Sequence, residues 1–178
     1  MRTLISSLIV ALVAVPFAAR AQDAPNPVST ALRSSLAGAQ RNFVESAEEM
    51  PADKYGFKPT PQQMSFGQLM LHVAGSNMFM CSVIAGEKMP QAAKLTPDAP
   101  KEQIVARLKE SFAYCTTELA KVDDSKLGES VPFFGGRTVT RAAAMLGLSE
   151  DWGDHYSAAA TWLRLNGLLP PTARRREM

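Results

Sequence analysis

Histidine and cysteine are the scarcest residues with useful chemistry in this chain of 178, two of each: His72 and His155, Cys81 and Cys115. Two cysteines are too few to form a disulfide framework. Cys81 and Cys115 either pair, tying a second helical segment to a third, or remain free as small buried hydrophobes. An excess of one charge is missing too. The 19 basic residues face 17 acidic ones, and removing Arg2 and Arg20 with a leader leaves 17 against 17. No nucleic-acid partner is expected from that balance. The one basic run, Arg174-Arg175-Arg176, lies in a terminal stretch, 172–178, read as a frayed, solvated tail. Strand-like alternation is absent, and no stretch after the leader is long and apolar enough for stable membrane insertion.

What is present begins with that leader. Met1-Arg2 is basic, Leu4 to Val15 is almost wholly apolar, and Ala19-Arg20-Ala21 places small residues where a signal peptidase reads. Residues 1–21 are therefore expected to be a cleaved signal peptide, and the mature chain a periplasmic or secreted protein. Residues 22–27 are proline-rich and polar and read as a disordered lead-in. The remainder, 28–171, is long enough for one domain with a substantial core.

Four helical segments fill that domain. From Val28 to about Met50, Leu32, Leu36, Ala39, Phe43 and Ala47 recur at steps of three and four, until Pro51 ends the pattern. Tyr55 and Phe57 follow in a turn-rich connection, where they are expected to cap one end of the core. A second helix starts at Gln62 or Ser65 and stops at Gly86. It is apolar around most of its circumference, so His72 is expected to point inward. The proline-rich stretch 87–100 is a long crossover, which lets a third helix, about Lys101 to Val122, run parallel to the second. Residues 123–137 read as a short hairpin or turn over the bundle end. Their Gly135-Gly136 pair lacks the preceding strand and the lysine of a phosphate-binding loop. Thr138 is the expected cap of a fourth helix reaching about Asn166. The fold class is thus all-α, a four-helix bundle.

The fourth helix carries Ala144, Leu148, Asp151, His155, Ala158 and Trp162 along one stripe. An acid and a histidine four apart lie one turn above the other on one face. If His72 faces them across the bundle, two histidines and one carboxylate converge, a donor set that suits zinc, iron, nickel or manganese and leaves coordination positions open. Glu150, Asp154 and the Asp151 oxygens are near enough in sequence to accept a hydrogen bond from a ligand histidine. The competing reading is a plain hydrogen-bonded Asp151–His155 pair. Trp152 and Tyr156 flank the site and are read as packing residues.

Met64-Ser65-Phe66-Gly67-Gln68-Leu69-Met70-Leu71-His72-Val73-Ala74, preceded by Tyr55-Gly56-Phe57-Lys58-Pro59, resembles the first histidine motif of the DinB-like (DNA-damage-inducible) four-helix-bundle superfamily. Asp151-Trp152-Gly153-Asp154-His155-Tyr156, with Leu163 to Pro171, is similar to its last helix. The resemblance spans roughly 28–171. It implies an up-down-down-up bundle, homodimers, and a divalent metal held by one histidine of helix two and an i, i+4 pair of helix four. His72 and His155 match two of those ligands, while Asp151 stands where the pair's first histidine would be. Relatives that use small thiols imply metal-assisted transferase or isomerase chemistry, and hydrolysis by a metal-bound water is the other enzymatic route. No separate general base stands out. The two functional readings are a metal-binding bundle without assigned activity and a metal-dependent enzyme acting on a small molecule.

Overall fold

Three of the four long helices start where a side chain supplies a partner for their free amides; the third starts after Pro100 without one. In the computed structural model, which describes residues 26–91 and 93–174, α1 spans Pro27–Glu49, α2 Phe66–Ala85, α3 Lys101–Leu119 and α4 Arg141–Leu165. The expected leader lies outside the described residues. Proline opens α1 at a position whose N–H has no helical partner anyway. The next two amides, of Val28 and Ser29, donate to the Asp124 carboxylate at 2.8 and 2.9 Å. Ser65 begins α2 with a capping box: its hydroxyl accepts the Gln68 N–H, and the Gln68 side chain accepts the Ser65 N–H at 2.7 Å. Gly86 closes that helix at φ 77°, a left-handed cap that a β-carbon would disfavour.

The fourth helix departs from expectation at its start. Thr138 does not cap it. Thr138–Thr140 forms a strand, β2, paired antiparallel with β1, Ser130–Pro132, and the cap is Thr140, whose hydroxyl accepts the Ala143 N–H. The hairpin comes so close to α4 that a β-carbon on Gly147 would stand 2.6 Å from the Phe133 ring. The end of the bundle also differs. Thr172 bonds Tyr156, and Arg174 pairs with Glu45 and Glu49 of α1, so the start of the expected basic tail is docked rather than frayed.

Contacts between helices fix their directions. Gly67 approaches Ile104, Asn77 bonds Ser111, and Cys81 is joined to Cys115, so α2 and α3 run parallel. Residues 86–100 supply the crossover this requires. Phe43 stacks on Phe112 while Lys101 binds the Met50 carbonyl, which makes α1 and α3 antiparallel. Phe66 meets Trp162 and Asn77 meets Trp152, so α2 and α4 are antiparallel as well. The result is an up-down-down-up bundle. Its centre is filled by fully buried Phe43, Phe66, Met70, Met80, Phe112 and Leu148, and Tyr55 closes one end with its hydroxyl on the Ala47 carbonyl. The cysteines form a disulfide, Cα to Cα 5.2 Å, inside the α2–α3 seam.

Candidate metal centre

The antiparallel register of α2 and α4 brings the two histidines together. Their ring centroids are 4.7 Å apart, and Asp151 lies one turn back along α4. One ligand atom from each of His72, Asp151 and His155 lies within 4.8 Å of the others. Donors sharing one ion at roughly 2.0–2.2 Å stand about 3–3.5 Å apart, so small side-chain rotations separate this arrangement from a first coordination shell.

Hydrogen bonding settles which nitrogen of His155 is free. Nδ1 is 2.8 Å from the Asp151 main-chain oxygen, and a carbonyl can only accept, so Nδ1 carries the proton. In the neutral ring Nε2 then offers its lone pair. A carboxylate was the expected acceptor for this N–H; the main-chain carbonyl of the preceding turn takes that role. Asp154 Oδ2 is 3.9 Å away and its side chain is exposed, while Asp151 Oδ1 is at 3.4 Å.

Asp151 carries the sign of an incomplete site. Its side chain is only 13% exposed, and Oδ2 is buried without a hydrogen-bond partner among the described residues. Burial pushes its carboxyl above the ordinary range, against the pull of His155 and His72. Partial desolvation at the helix seam likewise holds the His72 ring below its usual value, with His155 adding to the effect and Asp151 opposing it. An unpaired buried carboxylate oxygen facing two imidazoles is costly in water-poor surroundings. A divalent cation would satisfy all three groups together, so the donor set fits such an ion.

His72 itself differs from expectation. It is exposed at the edge of the α2–α4 seam rather than buried, because the apolar core closes on its neighbours Val73 and Ala74. That leaves one side of the cluster open to solvent. Glu150 is exposed on α4 as well, and neither it nor Asp154 is held in place as a general base.

The register is held by a residue that hydrophobic periodicity alone overlooks. Asn77, fully buried, accepts the Trp152 indole N–H at 2.7 Å and donates to the Ser111 hydroxyl at 3.0 Å. That short chain bolts α4 and α3 to α2 one turn beyond the histidines. Trp152 is therefore a packing residue with a specific polar handle. The available signal is an asparagine in an otherwise buried helix, where an amide must find partners.

A helical bundle with an imidazole–carboxylate cluster between its second and fourth helices defines the class. The family model of the DinB superfamily matches residues 35–158, and the chain belongs to that superfamily. A DinB-like protein from Bacillus subtilis is 21% identical with a TM-score of 0.65, over 82% of this chain and 99% of that one. A conserved protein from Enterococcus faecalis is 20% identical with a TM-score of 0.62, over 78% and 96%. A mutant of a mycothiol-dependent maleylpyruvate isomerase is 13% identical with a TM-score of 0.60, over 72% and 59%. No curated protein matches the sequence at a significant level.

Proposed function

We propose that this protein binds a divalent metal ion through His72, Asp151 and His155. The observation that carries the reading is the buried, partnerless Asp151 oxygen set beside two histidines, one of which already has its Nδ1 proton committed to a carbonyl. Orientation of a ligand imidazole by a main-chain acceptor is the usual support for a metal site. Zinc, iron, nickel and manganese all accept two imidazoles and a carboxylate, and the donor set does not choose among them. The decisive test is elemental analysis of protein purified without an affinity tag, beside His155→Ala. Near-stoichiometric metal in the wild type and its loss in the variant is the expected result. Absence of metal in both, with no uptake when the four ions are added, would refute the reading.

A second reading, a metal-dependent enzyme acting on a small molecule, is favoured by the solvent-facing position of His72. A bound ion there would act as a Lewis acid for a hydrolase or a thiol-dependent transferase. The solved isomerase of the same fold suggests the thiol class as a first screen, though fold alone does not carry function. Export completes the proposal. It is supported by the signal-like segment 1–21 and by the disulfide, which persists in oxidising compartments. The expected cleavage after Ala21 can be checked by mass spectrometry of the secreted fraction.

A further inference from the structure

The buried serines of this bundle follow a rule with one exception. Ser29, Ser46, Ser82 and Ser111 each return their hydroxyl to a carbonyl three or four residues back in the chain, and Ser65 accepts its cap bond. Ser76 is buried as well, at 7% exposure, yet among the described residues its hydroxyl takes no such carbonyl. It stands one turn after His72 on α2, as Asp151 stands one turn before His155 on α4. The helices are antiparallel, with His72 against His155 and Asn77 against Trp152, so Ser76 falls opposite Asp151. Four polar groups thus form the corners of a rectangle across the seam, and only three have an assigned part.

We propose that Ser76 is a positioning residue of the metal centre: its hydroxyl donates to one oxygen of Asp151 and leaves the other oxygen for the ion. The inference rests on the reading of His72, Asp151 and His155 as ligands. A carboxylate is smaller than an imidazole and can rotate to bind through either oxygen or both. A donor fixed on the opposite helix selects one orientation, as groups behind a ligand commonly do. Serine suits the place because its hydroxyl can leave the helix carbonyl without a change of backbone. Ser76 also sits next to Asn77, whose side chain fixes the spacing of the two helices at that level.

Titration of the mature, chelator-treated protein with cobalt(II) and zinc(II) alone tests this. Wild type, Ser76→Ala, Ser76→Thr and Asp151→Asn would be compared by affinity, by the visible spectrum of the cobalt form, and by urea unfolding. The expected result is a loss of roughly 10–100-fold in affinity for Ser76→Ala with an altered cobalt spectrum. Its unfolding midpoint should stay close to wild type, and Ser76→Thr should recover most of the affinity. Equal binding by wild type and Ser76→Ala, or a loss that Ser76→Thr does not repair, overturns the role of Ser76 while leaving the ligand assignment intact. No binding by wild type, or wild-type binding by Asp151→Asn, removes the ligand assignment and this inference with it.

Discussion

The two seams that α2 makes with its neighbours are built to opposite specifications. Against α3 every conspicuous group is satisfied: the cysteines are bonded to each other, Asn77 reaches Ser111, and the hydroxyls of Ser82 and Tyr114 meet at 2.8 Å. Against α4 the same helix presents an exposed histidine and lies across from a carboxylate with a buried, unpartnered oxygen. One face of α2 holds the bundle together, and the other keeps polar groups ready for something outside the chain. Unsatisfied groups of that kind are tolerated where function needs them and the surroundings fix them in place. The α2–α3 seam supplies that fixity.

The comparison is broken hardest by removing the disulfide. Its cysteines are 34 residues apart, and cross-linking a loop of that size stabilises a fold by about 3–4 kcal/mol. A Cys81→Ala, Cys115→Ala double variant should lose about that much in urea unfolding. Its metal affinity, measured well below the midpoint, should stay within about threefold of wild type, because the staple is on the face of α2 away from the ligands. Asn77→Ala should act on both seams. It strands the Trp152 N–H in the core, a penalty of about 1–3 kcal/mol, and frees the α2–α4 register. Stability and metal affinity should then fall together, and unchanged affinity would show that the register does not depend on Asn77.

Asp151→Asn should move stability in the opposite direction. Asparagine keeps the shape and removes a buried charge with one unpartnered oxygen, so the metal-free protein should gain about 0.5–2 kcal/mol at neutral pH. Metal uptake should fall by at least about a hundredfold. Chemical unfolding with and without chelator checks both halves, and a loss of stability in the chelated variant would contradict the strained-carboxylate account.

Much of this contrast is legible in the amino-acid sequence. Ser65 with Gln68, Gly86 and the proline-rich 87–100 mark the limits of α2 and the crossover that makes it parallel to α3. His72, Asp151 and His155 stand out because histidine is so scarce and because an acid and a histidine four apart must share a helix face. Other features depend on how the helices pack. The Cα spacing that allows a disulfide is set by that packing. Thr138 and Thr140 are equally good caps, and only the pairing of Val131 with Val139 decides between them. The exposure of His72 is hidden because α2 is apolar nearly all round, so periodicity cannot say which edge is left uncovered. The docking of Arg174 depends on where Glu45 and Glu49 of α1 happen to lie.

The smallest effect, and the one that separates the two seams most cleanly, is a pH dependence confined to one of them. Partial desolvation and the neighbouring His155 hold His72 below its ordinary value of 6.5, with Asp151 opposing. A histidine depressed in the folded state stabilises the fold fully above the unfolded value, and that contribution is lost as pH falls through the folded one. Asp151 has the reverse sign: its raised value gives stability that is present below 3.8 and lost as pH rises through the folded value. As pH falls below about 6.5 the metal-free protein should therefore weaken slightly through His72, by an amount that solvent at this exposed ring and the opposite sign of Asp151 keep small. His72→Gln should flatten that slope, whereas the double cysteine variant should keep it. With metal present the slope should steepen, because protons and the ion compete for the same histidines. A slope that His72→Gln leaves untouched, or that metal does not change, would mean that the α2–α4 seam is as closed as its neighbour.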